Sequence, residues 1–159
     1  MATSAVWEVL DALVALFAAD ATLAAAGVRV VDGPPTTDLS PPNLLFVGSA
    51  PSDPNDDSPD ASFSQSWGEL GARAKYEDLI VRCELWVRSG SQDMAARRDT
   101  AKALLDAIEA ALRTNYTLAV GRLLWIHLAA AEIRQIQTQA PTGSTVAVSF
   151  TLAGRARLS

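Results

Sequence analysis

The chain has little of what reactive sites are made from. It holds one histidine, His127, one cysteine, Cys83, and two methionines. That count excludes an internal disulfide and any metal site built from several Cys and His ligands. Cys83 falls in an apolar strand pattern, where a thiol behaves as a small buried hydrophobe. His127 sits in an apolar run with no partner near it in sequence, which reads as a packed or interface imidazole rather than a general base. The phosphate-cradling GxxxxGK[ST], the dinucleotide-binding GxGxxG and the nucleophile-bearing GxSxG patterns are all missing. No apolar run reaches the roughly 18 residues that a membrane span needs. The Ala-rich start, residues 6–26, is interrupted by Glu8, Asp11 and Asp20 and has no basic leader, so no signal peptide is expected there. The expectations are a cytoplasmic birthplace, no enzymatic activity, no cofactor, no metal and no membrane.

What is present describes a single folded domain over residues 1–159, with 49% apolar and 19% charged residues. The net charge of -5 hides a split. Residues 1–60 carry nine acids against Arg29 alone, and the remainder carries nine acids against twelve bases. A concentrated basic surface, the mark of a nucleic-acid binder, is absent. Such a split suits copies that meet acidic region to basic region.

The most informative stretch is YEDLIVRCELWVRS, residues 76–89. Side chains alternate across a strand, so Glu77, Leu79, Val81, Cys83, Leu85 and Val87 share one face. Tyr76, Asp78, Ile80, Arg82, Glu84, Trp86 and Arg88 share the other, a mixed face turned to solvent or a partner. Before it, Val6, Val9, Leu10, Leu13, Leu16 and Phe17 recur at helical spacing, widened by Trp7 and Val14, with Thr3 or Ser4 as the N-cap. Residues 19–26 extend that helix or add a short turn, stopped at Gly27. Short strands are expected at 28–31 and 44–47, separated by a proline-rich segment, and a further strand or hairpin arm at 63–70.

Residues 50–61, APSDPNDDSPDA, bury almost nothing and read as a mobile loop. Its four aspartates raise a calcium site, but no central glycine or closing glutamate is present and the prolines restrict wrapping. After the long strand, Asp93 caps a helix to about residue 114, with Met94, Ala101, Leu104, Leu105, Ile108, Ala111 and Leu112 inward. Two long strands then form a hairpin, with a turn at 141–143 and a bulge near 129–131 where the alternation changes phase. The class is α+β: a mainly antiparallel sheet of about four to five strands, packed with two amphipathic helices and carrying a long Pro/Asp-rich loop.

The run YEDLIVRCELWVRSG into RRDTAKALLDAIEAAL, followed by LLWIHLAAAEIRQIQTQAPTGSTVAVSFTLAGRARL, resembles the tail terminator (tail completion) proteins of long-tailed, non-contractile bacteriophages. The likeness lies in the xRQxQT strand, the glycine turn and the apolar strand ending in xRARL. It covers residues 79–159 and, loosely, the first helix; the Asp-rich loop has no counterpart in it. The resemblance implies a small α+β subunit that assembles as a six-fold ring on the finished tail tube. The ring stops tube polymerisation and offers a surface to the head-tail connector, while DNA passes through without sequence-specific contact. The implied place is the virion neck, and the implied partners are further copies, the tube protein and the connector. A second reading is another neck or connector adaptor ring; one of a different class is a small-molecule-binding or enzymatic α+β domain.

A ring needs two complementary patches on each subunit. The charge split makes Asp53, Asp56, Asp57 and Asp60 candidates for one, and Arg97, Arg98, Arg155 and Arg157 for the other. Aromatic anchors carry most interface affinity, which adds Trp67 and Trp86.

Overall fold

The computed structural model describes residues 3–35, 38–53, 55–69, 71, 73–139 and 142–158. Pro54, Leu70 and Pro141, expected in the loop, at a strand end and in a turn, lie outside the described residues. The architecture is α+β, a sheet with helices on one face. Its axis is β4, Lys75–Ser89, which pairs antiparallel along its whole length with β6, Thr142–Leu158. β6 pairs antiparallel with β5, Leu123–Gln139, and β5 forms one edge.

The other side of β4 is shared by two strands. Residues 75–81 hold β3, Ala61–Trp67, and residues 83–87 hold β2, Asn43–Val47. β1, Arg29–Asp32, lies parallel to β2 beyond it. The sheet therefore has six strands rather than four or five. The short segments expected at 28–31, 44–47 and 63–70 all join it, beside the long central strand and the terminal hairpin.

The helix-side core follows the alternation of β4. Leu79, Val81, Cys83, Leu85 and Val87 are buried with Val146, Val148, Phe150 and Leu152 of β6 beneath the helices. Helix α3, Met94–Thr114, lies against β4, β5 and β6, presenting Ala101, Leu104, Ile108 and Leu112. Its start is capped by Asp93, whose carboxylate accepts the Ala96 N–H at 3.1 Å. Helix α1, Val6–Ala19, lies beside β1, β2 and β3 and buries Val6, Val9, Leu13 and Phe17. Asp20 ends it and caps the one-turn α2, Ala21–Ala25. Trp7 does not widen the buried stripe: it is 66% exposed. Cys83 is a buried free thiol, and burial pushes its pKa up to about 12.

The β5–β6 hairpin changes register between Leu128 and Ala130, as the phase change in the sequence predicts, and also between Leu123 and Trp125. At the second bulge Gly154 is needed for room, since a Cβ there would sit 3.0 Å from the Trp125 carbonyl oxygen and 3.1 Å from Leu79 Cδ1.

Candidate assembly surface

The face of the sheet away from the helices is where the charged half of β4 points. Glu84, Trp86, Phe46, Ala147 and Ser149 are brought together there by register: Glu84 stands opposite Phe46 and Ser149, and Trp86 opposite Leu44 and Ala147. Phe46 meets Trp86 edge-on, with ring centroids 4.8 Å apart. The Arg88 guanidinium lies over the Trp86 ring at 5.6 Å.

Glu84 is fully buried, and its carboxylate is surrounded by donors. It accepts the Ser52 N–H at 2.9 Å, the Ser52 hydroxyl at 2.7 Å, the Ser149 hydroxyl at 2.6 Å and the Trp86 indole N–H. A buried carboxylate persists only when its oxygens are satisfied in this way.

Side chains of this face bind the irregular segments of the first half of the chain. Arg88 donates to the carbonyls of Leu39 and Pro41. Arg82 donates to the Ser58 carbonyl at 3.2 Å and pairs with Asp56 at 2.5 Å, while its backbone N–H donates to Asp60 O. From β5, Arg134 pairs with Asp53 at 2.9 Å. The acidic segment makes polar contacts with the sheet at five points between Ser52 and Asp60. A cleft of about 220 Å³ remains between it and the sheet, lined by Asp56, Arg82, Glu132 and Ser149 among others.

These contacts shift the carboxylates. Asp56 is lowered from about 3.8 to about 2, first by hydrogen bonds from Ser58 and then by Arg82. Asp53 is lowered chiefly by its hydrogen bond from Arg134, with the Asn55 N–H adding to it. Asp57 and Asp60 are exposed, with no side-chain partner among the described residues.

The cationic candidates are spread out. Arg98 donates from α3 to Gln135 of β5 at 2.8 Å. Arg97 is half-buried, and its Nε has no hydrogen-bond partner among the described residues. Arg155 lies 3.7 Å from Asp78 and over the Tyr76 ring at 5.0 Å, on the face that bears Glu84. Arg157 is exposed and stands opposite Tyr76 in register. Trp67 is 63% exposed with the Lys75 ammonium over its ring, and it points to the helix side near the start of the hairpin. Trp86 is half-buried on the outer face, not against α1. The structure therefore groups Asp53, Asp56 and Trp86 in one region and disperses Trp67, Arg97 and Arg98 away from it.

No protein-family model and no curated protein matches the sequence. Among solved structures, a chain of the virion of a native gene transfer agent particle aligns with a TM-score of 0.54 at 20% identity. The alignment covers 92% of this chain and 93% of that one. The two chains share a fold. The likeness extends over more of the chain than the part that carries motifs.

Two buried acids are marked unequally by the sequence alone. Alternation predicts Glu84 on a mixed solvent face, and nothing local marks it as buried. Glu77 falls in the apolar row, and an acid in that row is itself a signal. It is fully buried and accepts from Ala5 N–H and the Ser4 hydroxyl at 2.9 Å each and from Gln65 Nε2 at 2.8 Å. It satisfies the amide of Ala5, the N-cap residue of α1, from across the fold, beside a helix start where the dipole favours a negative charge. The N-cap position is Ala5 rather than Thr3 or Ser4, and Ser4, one residue earlier, accepts the Val6 N–H through its hydroxyl oxygen at 3.0 Å.

Proposed function

We propose that this chain is a non-catalytic structural protein of a virion, acting as a tail terminator. Copies form a closed ring on the finished tail tube, end its polymerisation and present a surface to the head-tail connector. The observation that carries the virion role is the fold shared over nine-tenths of both chains with a component of a virion particle. The tail-terminator assignment adds the run from the long central strand through α3 to the RQIQTQ and RARL strands, which resembles that family. The neighbour's location says nothing of ring number, so the six-fold count rests on the family resemblance alone.

In this reading Asp57, Asp60 and Arg157, exposed charges, register neighbouring copies, and Trp67 supplies apolar contact. Such charges steer and align more than they hold, so assembly slows as salt rises. The test is addition of the purified chain to polymerising tube protein. Tubes stop growing, and a ring is seen at their end in projection images. Tubes that lengthen unchanged overturn the terminator reading. Binding to the connector without any effect on tube growth assigns the chain to a neck adaptor instead.

A further inference from the structure

Three edges of the sheet are open among the described residues, and they are not alike. β1 is four residues long, carries Arg29 and Asp32, and runs into Gly33-Pro34-Pro35, so it is short and charged in the manner of protected edges. β3 reads ASFSQSW, with no charge and no proline, and its Phe63 and Trp67 are 42% and 63% exposed. β5 is 17 residues long and has no lysine and no proline. Its first half is closed, because the Ile126 N–H donates to the Tyr116 carbonyl at 2.8 Å. Beyond the bulge at Leu128 the described residues give residues 130–137 no such cover, and Ile133 and Ile136 are 64% and 46% exposed there. β3 is uncharged, and residues 130–137 carry one acid and one base, Glu132 and Arg134, so both edges offer a row of unpaired backbone groups to another strand.

We infer that the outer half of β5 in one copy pairs with β3 of the next, so that the sheets of neighbouring subunits run on into one another. The inference rests on the ring reading and names the junction. Strand direction supports it. β3 and β6 run against β4, and β5 runs against β6, so β5 and β3 point in opposite directions within one subunit. A neighbour brought round a ring keeps its strand directions approximately, which makes the β5–β3 junction antiparallel, the more stable pairing. The lengths agree: residues 130–137 span roughly 27 Å and β3 roughly 24 Å at about 3.4 Å per residue. The two edges differ in sequence and lie on opposite sides of β4, as a head-to-tail interface requires. Within a subunit, residues 130–137 lie level with β2 rather than β3, so the neighbour is displaced along the strands. The strands are then inclined to the ring axis, as in closed sheets generally.

The experiment uses two double variants at exposed positions, one at each edge. Ile133→Lys with Ile136→Lys charges β5, and Ser64→Lys with Ser66→Lys charges β3. Folding is checked by melting, and size is read by native mass spectrometry and light scattering. Each variant alone is a monomer, with ring content down at least tenfold. A one-to-one mixture stops at dimers, because only one intact junction remains. Rings from either variant overturn the junction and leave the ring reading standing. Symmetric dimers of the β3 variant show β5 meeting β5 and also overturn it. A wild-type chain that stays monomeric at its highest soluble concentration and on tubes overturns both. Amide exchange of the wild type gives an answer independent of any substitution. Residues 62–67 and 130–137 gain at least tenfold protection on assembly, and protection confined elsewhere overturns the junction.

Discussion

The two faces of β4 are built by different physics. On the helix side Leu79, Val81, Cys83, Leu85 and Val87 are removed from water under α1 and α3, and the stabilisation scales with apolar area. On the other side Arg82, Glu84 and Arg88 hold proline- and aspartate-rich segments by directed polar contacts. Each face contains one fully buried glutamate that ties a distant segment to the strand: Glu77 the start of α1, Glu84 the start of the acidic segment. The second kind of face is the more open to salt, because its contacts are charged and partly exposed to solvent.

The largest effect that separates the faces is expected at Leu85. Leu85→Ala costs about 2–5 kcal/mol in denaturant unfolding, the usual range for a buried leucine. A loss below about 0.5 kcal/mol breaks the assignment of that side as the area-driven one. Glu84→Ala comes next, at about 1–3 kcal/mol, because buried donors lose their acceptor. Its second signature is faster exchange of the Ser52 amide, which Leu85→Ala leaves unchanged until global unfolding.

Trp86→Ala sharpens the comparison further. It removes the edge-on contact to Phe46, worth about 0.5–1.5 kcal/mol beyond the buried area. Melting and ring formation are measured together. A variant that stays folded yet no longer stops tube growth assigns Trp86 to a contact between subunits, and a variant unchanged in both removes it from either role.

The smallest effect is the pH response of the acidic segment. Asp56 has a folded pKa of about 2 against an ordinary value near 3.8. A depressed carboxylate stabilises the fold fully above its unfolded pKa and loses that contribution as pH falls through the folded one. Protease nicking of residues 50–61 therefore rises between about pH 4 and pH 2 while the helix-side core stays closed. The direction for Asp53 is the same. In Asp56→Asn the step shrinks, and a step of undiminished size shows that Asp56 is not its source.

By itself the sequence determined the elements and the helix-side core. Alternation in residues 76–89 and 144–158 and the 3.6 period of α1 and α3 are local properties, and burial of one face follows from them wherever the strand is placed. The bulge near Ala130 was legible for the same reason, as a change of phase. Of the candidate site, the residue types were legible but not their company. Asp53 and Asp56 meet Arg134 and Arg82 of their own chain, across 81 and 26 positions, and no period or spacing encodes such a pairing. Only the tertiary structure decided that Glu84 is buried, that β3 and β2 share one side of β4, and that β1, β3 and β5 are the edges open among the described residues. Each of these depends on which strands become neighbours, a choice made by loop paths and long-range register rather than by any window of sequence.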